Sequence, residues 1–168
     1  PEGKDVDFAL NLEPINERLS RAEETGPEYR FEEPPYTDLH LDVEGRTVLV
    51  QGRVRGELTT PCSRCAELTS VKLDVPIRVV LKPSSERSRP GEEVEDLGLG
   101  YYDGKEINCE ETAADLLLLS IPYTALCSSD CKGLCPVCGT DLNRDRCSCI
   151  PTESGDPRFS VLRQLKLQ

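Results

Sequence analysis

Cys135-Pro136-Val137-Cys138-Gly139 places two thiols three residues apart, with a glycine after the second. Two thiolates so spaced can grip one ion while nearby backbone N–H groups donate to their sulfurs, and Gly139 permits the tight turn this requires. Cys147 and Cys149 follow after residues 140–146, so a closed four-thiolate site fits within residues 135–149. The single-residue gap in Cys147-Ser148-Cys149 is tighter than the usual two. Cys62-Ser63-Arg64-Cys65 is a second knuckle that needs two ligands from elsewhere, and Cys127 and Cys131 are the natural candidates. The expectation is two structural Zn²⁺ ions, on Cys62, Cys65, Cys127, Cys131 and on Cys135, Cys138, Cys147, Cys149. Interleaved sets, or one ion with spare thiols, would use the same residues.

Other cysteine chemistries compete. A disulfide scaffold suits a secreted chain, but Cys-x-x-Cys pairs without a visible signal peptide favour metal. A redox pair at Cys62 and Cys65 would need its first thiol at a helix N-terminus, whereas strand patterns flank this pair. Four thiolates also suit an iron–sulfur cluster. Cys109, far from any pair, reads as a partly buried free thiol at a helix start. Catalytic zinc keeps a position open and usually has histidine ligands. His40 is the sole histidine, and alternation places it on a solvent face with Asp38 and Asp42. No Ser-His-Asp set, phosphate loop or ordered carboxylate pair can be assembled, so no enzyme is expected.

The elements that would position these thiols are mostly strands. Residues 5–12 alternate polar and apolar, as do 36–43 and 48–58, with a turn at Glu44-Gly45; 36–58 therefore reads as a β-hairpin. A further strand spans about 69–82. Residues 15–24 are polar and suit a loop or short helix, and Gly26-Pro27 marks a break. Residues 83–96 offer almost nothing to bury and read as a mobile loop. Tyr101–Ile107 suggests a small hairpin around Asp103-Gly104. A helix follows over about 110–120, opened by Asn108 and Glu111 in a capping-box spacing and ended by Pro122. Asp156-Pro157 opens a C-terminal helix with Phe159, Leu162 and Leu165 at helical spacing. The expected fold is α+β: a mainly antiparallel sheet, one core helix, a cysteine-rich zinc module and a C-terminal helix. Residues 1–126 would form a β-rich acidic domain, and 127–168 the zinc module with its helix.

The chain has 168 residues and is only 37% hydrophobic, so metal should carry part of its stability. A structural zinc site contributes roughly 10–16 kcal/mol of apparent binding free energy, against a net domain stability of about 5–15 kcal/mol. Formal charge is −11, and residues 1–126 hold 14 basic and 26 acidic side chains. Such a surface suits a basic protein better than a phosphate backbone. No apolar run is long enough to cross a bilayer, so no membrane role is expected.

The string Cys131-Lys132-Gly133-Leu134-Cys135-Pro136-Val137-Cys138-Gly139-Thr140-Asp141-Leu142-Asn143 resembles the YceD-type family of large ribosomal RNA subunit accumulation proteins. Pro61-Cys62-Ser63-Arg64-Cys65, the helix ending Leu118-Leu119-Ser120-Ile121-Pro122, and Asp156-Pro157-Arg158 fit the same family. The resemblance implies a soluble protein of the bacterial cytoplasm, or of the plastid stroma in a plant member. It implies a part in ribosome biogenesis, promoting accumulation of large-subunit (23S) rRNA, with no catalytic activity and no small-molecule substrate. Cys109 departs from the family pattern, which has an apolar residue there. The partner expected is a large-subunit ribosomal protein, a large-subunit rRNA precursor, or both. Lys132, Arg144, Arg146, Arg158, Arg163 and Lys166 are the side chains that could touch rRNA. An rRNA-processing enzyme and a zinc-dependent transcription or signalling module are the alternatives.

Overall fold

A computed structural model describes residues 2–22, 28–86 and 98–149. The period-two stretches at 36–43, 48–58 and 69–82 become strands of one mixed sheet, that at 5–12 does so only as far as Ala9, because Leu12 already opens a helix, and two short strands join them. The strands are β1 (Glu2–Ala9), β2 (Arg30–Phe31), β3 (Tyr36–Glu44), β4 (Thr47–Pro61), β5 (Leu68–Pro83) and β6 (Leu99–Tyr102). The strand order is β1-β3-β4-β5-β6, with β2 pairing the far end of β4. Every pairing is antiparallel except β5 with β6. The 36–58 hairpin forms as its alternation predicts, closed by Gly45-Arg46 between the Glu44–Thr47 pair. β4 and β5 continue past it as a long ribbon, in register from Val48–Leu81 to Pro61–Leu68. Pro76 lies in mid-β5, where one side of the strand has no partner among the described residues, since β6 pairs only Val80–Pro83. That is where a residue lacking an N–H does least harm.

One face of the sheet is apolar. Val50, Val54 and Leu58 of β4 are buried there with Ile77 and Leu81 of β5. Two helices cover it: α1 (Leu12–Ala22) and α2 (Cys109–Leu119). α1 resolves the choice left open for residues 15–24 in favour of a helix. Leu12, Ile15 and Leu19 recur on its inner side, and Asn11 Oδ1 caps it by accepting from the Glu13 N–H at 3.2 Å. The Asn16 amide pairs with both backbone groups of Phe31, at 2.9 and 3.0 Å, fixing fully buried Phe31 under α1. α2 buries Ala113, Ala114 and Leu117. Asn108 caps it, its side chain accepting from the Glu111 N–H at 3.0 Å. Arg18 and Asp115 tie the two helices at 2.8 Å.

The expected hairpin over Tyr101–Ile107 does not form. Leu99–Tyr102 instead extends the sheet in parallel beside β5. Asp103 Oδ1 then accepts the N–H groups of Lys105 and Glu106, turning the chain toward α2 rather than back on itself. Of the loop expected at 83–96, Pro83 completes β5 and Ser84–Glu86 form a single 3-10 turn; the remainder lies outside the described residues. The Gly26-Pro27 break and the helix from Asp156 also lie outside them. Among the described residues no helix is long and apolar enough to cross a membrane. The outer face of the sheet is polar, and His40 stands there. It bonds Asp5 across the strands at 2.5 Å and Asp42 at 3.3 Å, and the Asp5 hydrogen bond holds its pKa above the ordinary value.

Candidate metal centres

At the far end of the β4–β5 ribbon the chain turns through Cys62–Glu67. The Cys62 N–H donates to the Glu67 carbonyl at 2.8 Å, and the Ala66 N–H to the Cys62 carbonyl at 2.9 Å. After α2 the chain builds the same turn again. There the Cys135 N–H donates to the Thr140 carbonyl at 2.8 Å, and the Gly139 N–H to the Cys135 carbonyl at 2.9 Å. The two knuckles therefore share one hydrogen-bond pattern. Each needs a left-handed residue just after its second cysteine: Gly139 at φ 73° and Ala66 at φ 58°.

The segment after α2 carries two more thiols to the first knuckle. The Ser63 N–H donates to the Ala125 carbonyl at 2.8 Å, and the Ala125 N–H returns a bond to the Ser63 hydroxyl at 3.2 Å. This docks Cys127 and Cys131 against Cys62 and Cys65. The Cys62 sulfur lies 3.9 Å from that of Cys131, and Cys65 lies 3.6 Å from Cys127. Cys62, Cys65 and Cys131 are buried as a cluster separate from the apolar core. Cys135, Cys138, Cys147 and Cys149 form the second group, in which only Cys135 is fully buried. In each group the four sulfurs all lie within 4.8 Å of one another. All nine cysteines are free thiols.

A four-thiolate metal site fits these separations. Bonds of about 2.3 Å from zinc to sulfur in a tetrahedron imply sulfurs roughly 3.8 Å apart. The observed 3.6 and 3.9 Å bracket that value, and both are far beyond the roughly 2.05 Å of a disulfide. The surrounding donors also fit. The N–H groups of Arg64 and Cys127 point at the Cys62 sulfur from 3.5 and 3.4 Å, and the Asn143 amide lies 3.4 Å from the Cys131 sulfur.

Electrostatics point the same way. The N–H of Arg64, helped by those of Cys65 and Cys127, lowers the Cys62 thiol to about 6. The Thr140 hydroxyl lowers Cys138 to about 6. Their neighbours resist: Cys127 is pushed up to about 12 by its hydrogen bonding to Cys131 and Cys65, and Cys149 to about 12 by Cys138. Each group can ionise one thiol readily, but the next charge meets the first at close range. A dication at the centre removes that penalty, and four thiolates and a dication make a closed shell with no position left for water.

Spacing identifies these cysteines but not the residues that orient them. Arg64 donates from Nη1 to the Cys131 carbonyl at 2.8 Å. Asn143 reaches across from the second loop to Cys131, and Ala66 takes a conformation that the sequence would assign to glycine. Cys109 opens α2 packed against the apolar core, outside both groups, and burial pushes its thiol pKa up. His40 lies on the outer sheet face and belongs to neither group.

The model for the family described as Large ribosomal RNA subunit accumulation protein YceD matches residues 50–166, which span both cysteine groups. A protein of Arabidopsis thaliana named large ribosomal RNA subunit accumulation protein YCED homolog 1, chloroplastic, is 28% identical over 148 residues, covering 71% of this chain and 44% of the relative. An uncharacterised protein of Mycobacterium leprae is 30% identical over 109 residues, covering 65% and 49%. A homologue from Zea mays with the same name as the Arabidopsis protein is 29% identical over 133 residues, covering 61% and 44%. The chain spans about half the length of the curated relatives it matches. No solved structure is a significant match.

Proposed function

The chain belongs to the family of large ribosomal RNA subunit accumulation proteins named for YceD, and from that membership we propose that it supports accumulation of large-subunit rRNA by binding, each cysteine group holding one structural zinc ion. The observation that carries this reading is the pair of closed sulfur tetrads. They offer four thiolates each and no open coordination position, which suits a structural ion and not a catalytic one. Three carboxylates of the outer sheet face are held by neighbours: Asp38 by Arg55, Asp74 by Arg53, and Asp5 by His40.

In this reading the acidic body, residues 1–126, engages a basic large-subunit ribosomal protein. Residues 127–168 are the metal module, and Cys127 and Cys131 lock it to the body. Lys132 and Arg146 are the rRNA-facing side chains we favour within the module, since Arg144 is committed to Glu67 and Asp141. The setting is the bacterial cytoplasm or, for a plant member, the plastid stroma. Tagged protein under gentle lysis should recover a basic large-subunit ribosomal protein or a large-subunit rRNA precursor. Recovery of neither would overturn the binding role, and site-specific cleavage of precursor rRNA by the metal-loaded protein would replace it with a catalytic one.

A further inference from the structure

We infer that the two cysteine centres are thermodynamically coupled through Asn143, a positioning residue on the second loop that orients a sulfur of the first centre. This rests on the metal-binding reading proposed above. Asn143 lies between Cys138 and Cys147, in the loop that an ion at the second centre would close. Its amide has one possible orientation. The Lys132 N–H can only donate, and does so to Asn143 Oδ1 at 2.7 Å; the Asp141 carboxylate can only accept, and lies 2.8 Å from Nδ2. Nδ2 is thereby aimed at the Cys131 sulfur, 3.4 Å away. The Asn143 backbone N–H, bonded to the same Asp141 oxygen at 2.9 Å, fixes the stem of the side chain.

The linker between the centres is pressed onto the first knuckle. Gly133 has φ 75°, and a Cβ there would stand 2.9 Å from the Arg64 carbonyl oxygen. That same oxygen accepts the Leu134 N–H at 3.1 Å, while the Gly133 carbonyl accepts the Leu142 N–H at 2.9 Å. A further ion pair joins Arg144 of the second loop to Glu67 of the first knuckle. Asp141, which holds Nδ2 and the stem of Asn143, belongs to the second loop, Lys132 belongs to the linker beside Cys131, and the sulfur that the amide serves belongs to the first centre. Hydrogen bonds to ligand sulfurs tune metal affinity, and losing one typically costs about 10- to 100-fold. Opening the second loop should carry the same cost to an ion it never touches.

The test is cobalt(II) titration of the full chain with a competing chelator. Cys62→Ser and Cys135→Ser/Cys138→Ser proteins assign the sulfur-to-cobalt charge-transfer band of each centre. Asn143→Leu keeps the branched shape of the side chain and removes its N–H donor without adding a charge beside Asp141 and the Cys131 sulfur. We expect it to keep two ions per chain, weaken the first centre about 10- to 100-fold, shift that centre's band and leave the second centre's affinity unchanged. Removing the second centre should weaken the first by a similar factor. Adding Asn143→Leu to that protein should cost little more, because the loop that aims the amide is already open. First-centre affinity within twofold of the parent both in Asn143→Leu and in Cys135→Ser/Cys138→Ser would overturn the coupling alone. A parent chain that takes up neither cobalt nor zinc would overturn the metal reading and the coupling together.

Discussion

Ala66 and Gly139 occupy the same place in two knuckles built on one hydrogen-bond pattern, yet only one is a glycine. An L-residue in the left-handed region costs roughly 1–2 kcal/mol, whereas glycine reaches it freely at some cost in unfolded-chain entropy. The two sites should respond in opposite directions. Gly139→Ala should destabilise the second centre by about 1 kcal/mol, read as faster metal loss to a chelator. Ala66→Gly should leave the first centre unharmed or stabilise it by up to about 1 kcal/mol. Loss of metal from Ala66→Gly faster than from the parent would contradict the shared-turn account. Asn143 and Arg64 belong to this scale too. Neither residue type signals a metal site, and each acts through a partner distant in sequence, so spacing alone could not have found them.

Strands and helices carry the thiols to their places. The long β4–β5 ribbon was legible because alternation persists through Val48, Val50 and Val54 and again from Val71 to Leu81. α2 was legible from its cap, and Asn108→Ala should cost about 1 kcal/mol of global stability, measurable by denaturant unfolding. The parallel strand β6 was not legible. Its four residues carry no pattern of their own, and the Asp103-Gly104 turn signal nearby suits a hairpin equally well. α1 was ambiguous because Leu12, Ile15 and Leu19 are few among charges, and only Phe31 and its Asn16 clasp settle which side is buried. On the outer face, His40 is bonded to Asp5, which raises its folded pKa. The stabilisation is therefore fully present below the unfolded value of about 6.5 and is lost as pH rises through the folded value. The melting temperature of the parent should exceed that of His40→Gln most at acidic pH, and the difference should close on the alkaline side. A difference that grows with rising pH would refute that assignment.

At the scale of the molecule there are two stabilising cores of different chemistry. The apolar core lies between the sheet and its two helices; the second, around Cys62, Cys65 and Cys131, contains sulfur and little else. Its four thiols come from the β4–β5 turn and from the segment after α2, so a bound ion would staple elements more than sixty residues apart. Chelation should accordingly release the segment after α2 from the ribbon while the sheet and its helices keep their own core, seen as new amide exchange confined to residues 62–67 and 125–149. The second centre is the more open of the two, with Cys138 exposed and Cys147 and Cys149 half-buried, and should exchange its ion first. The most direct test of the central claim is metal content per chain in freshly purified, reduced protein, measured beside a Cys135→Ser variant. The account predicts two zinc ions in the parent and one in the variant; a parent chain that carries no metal would contradict it.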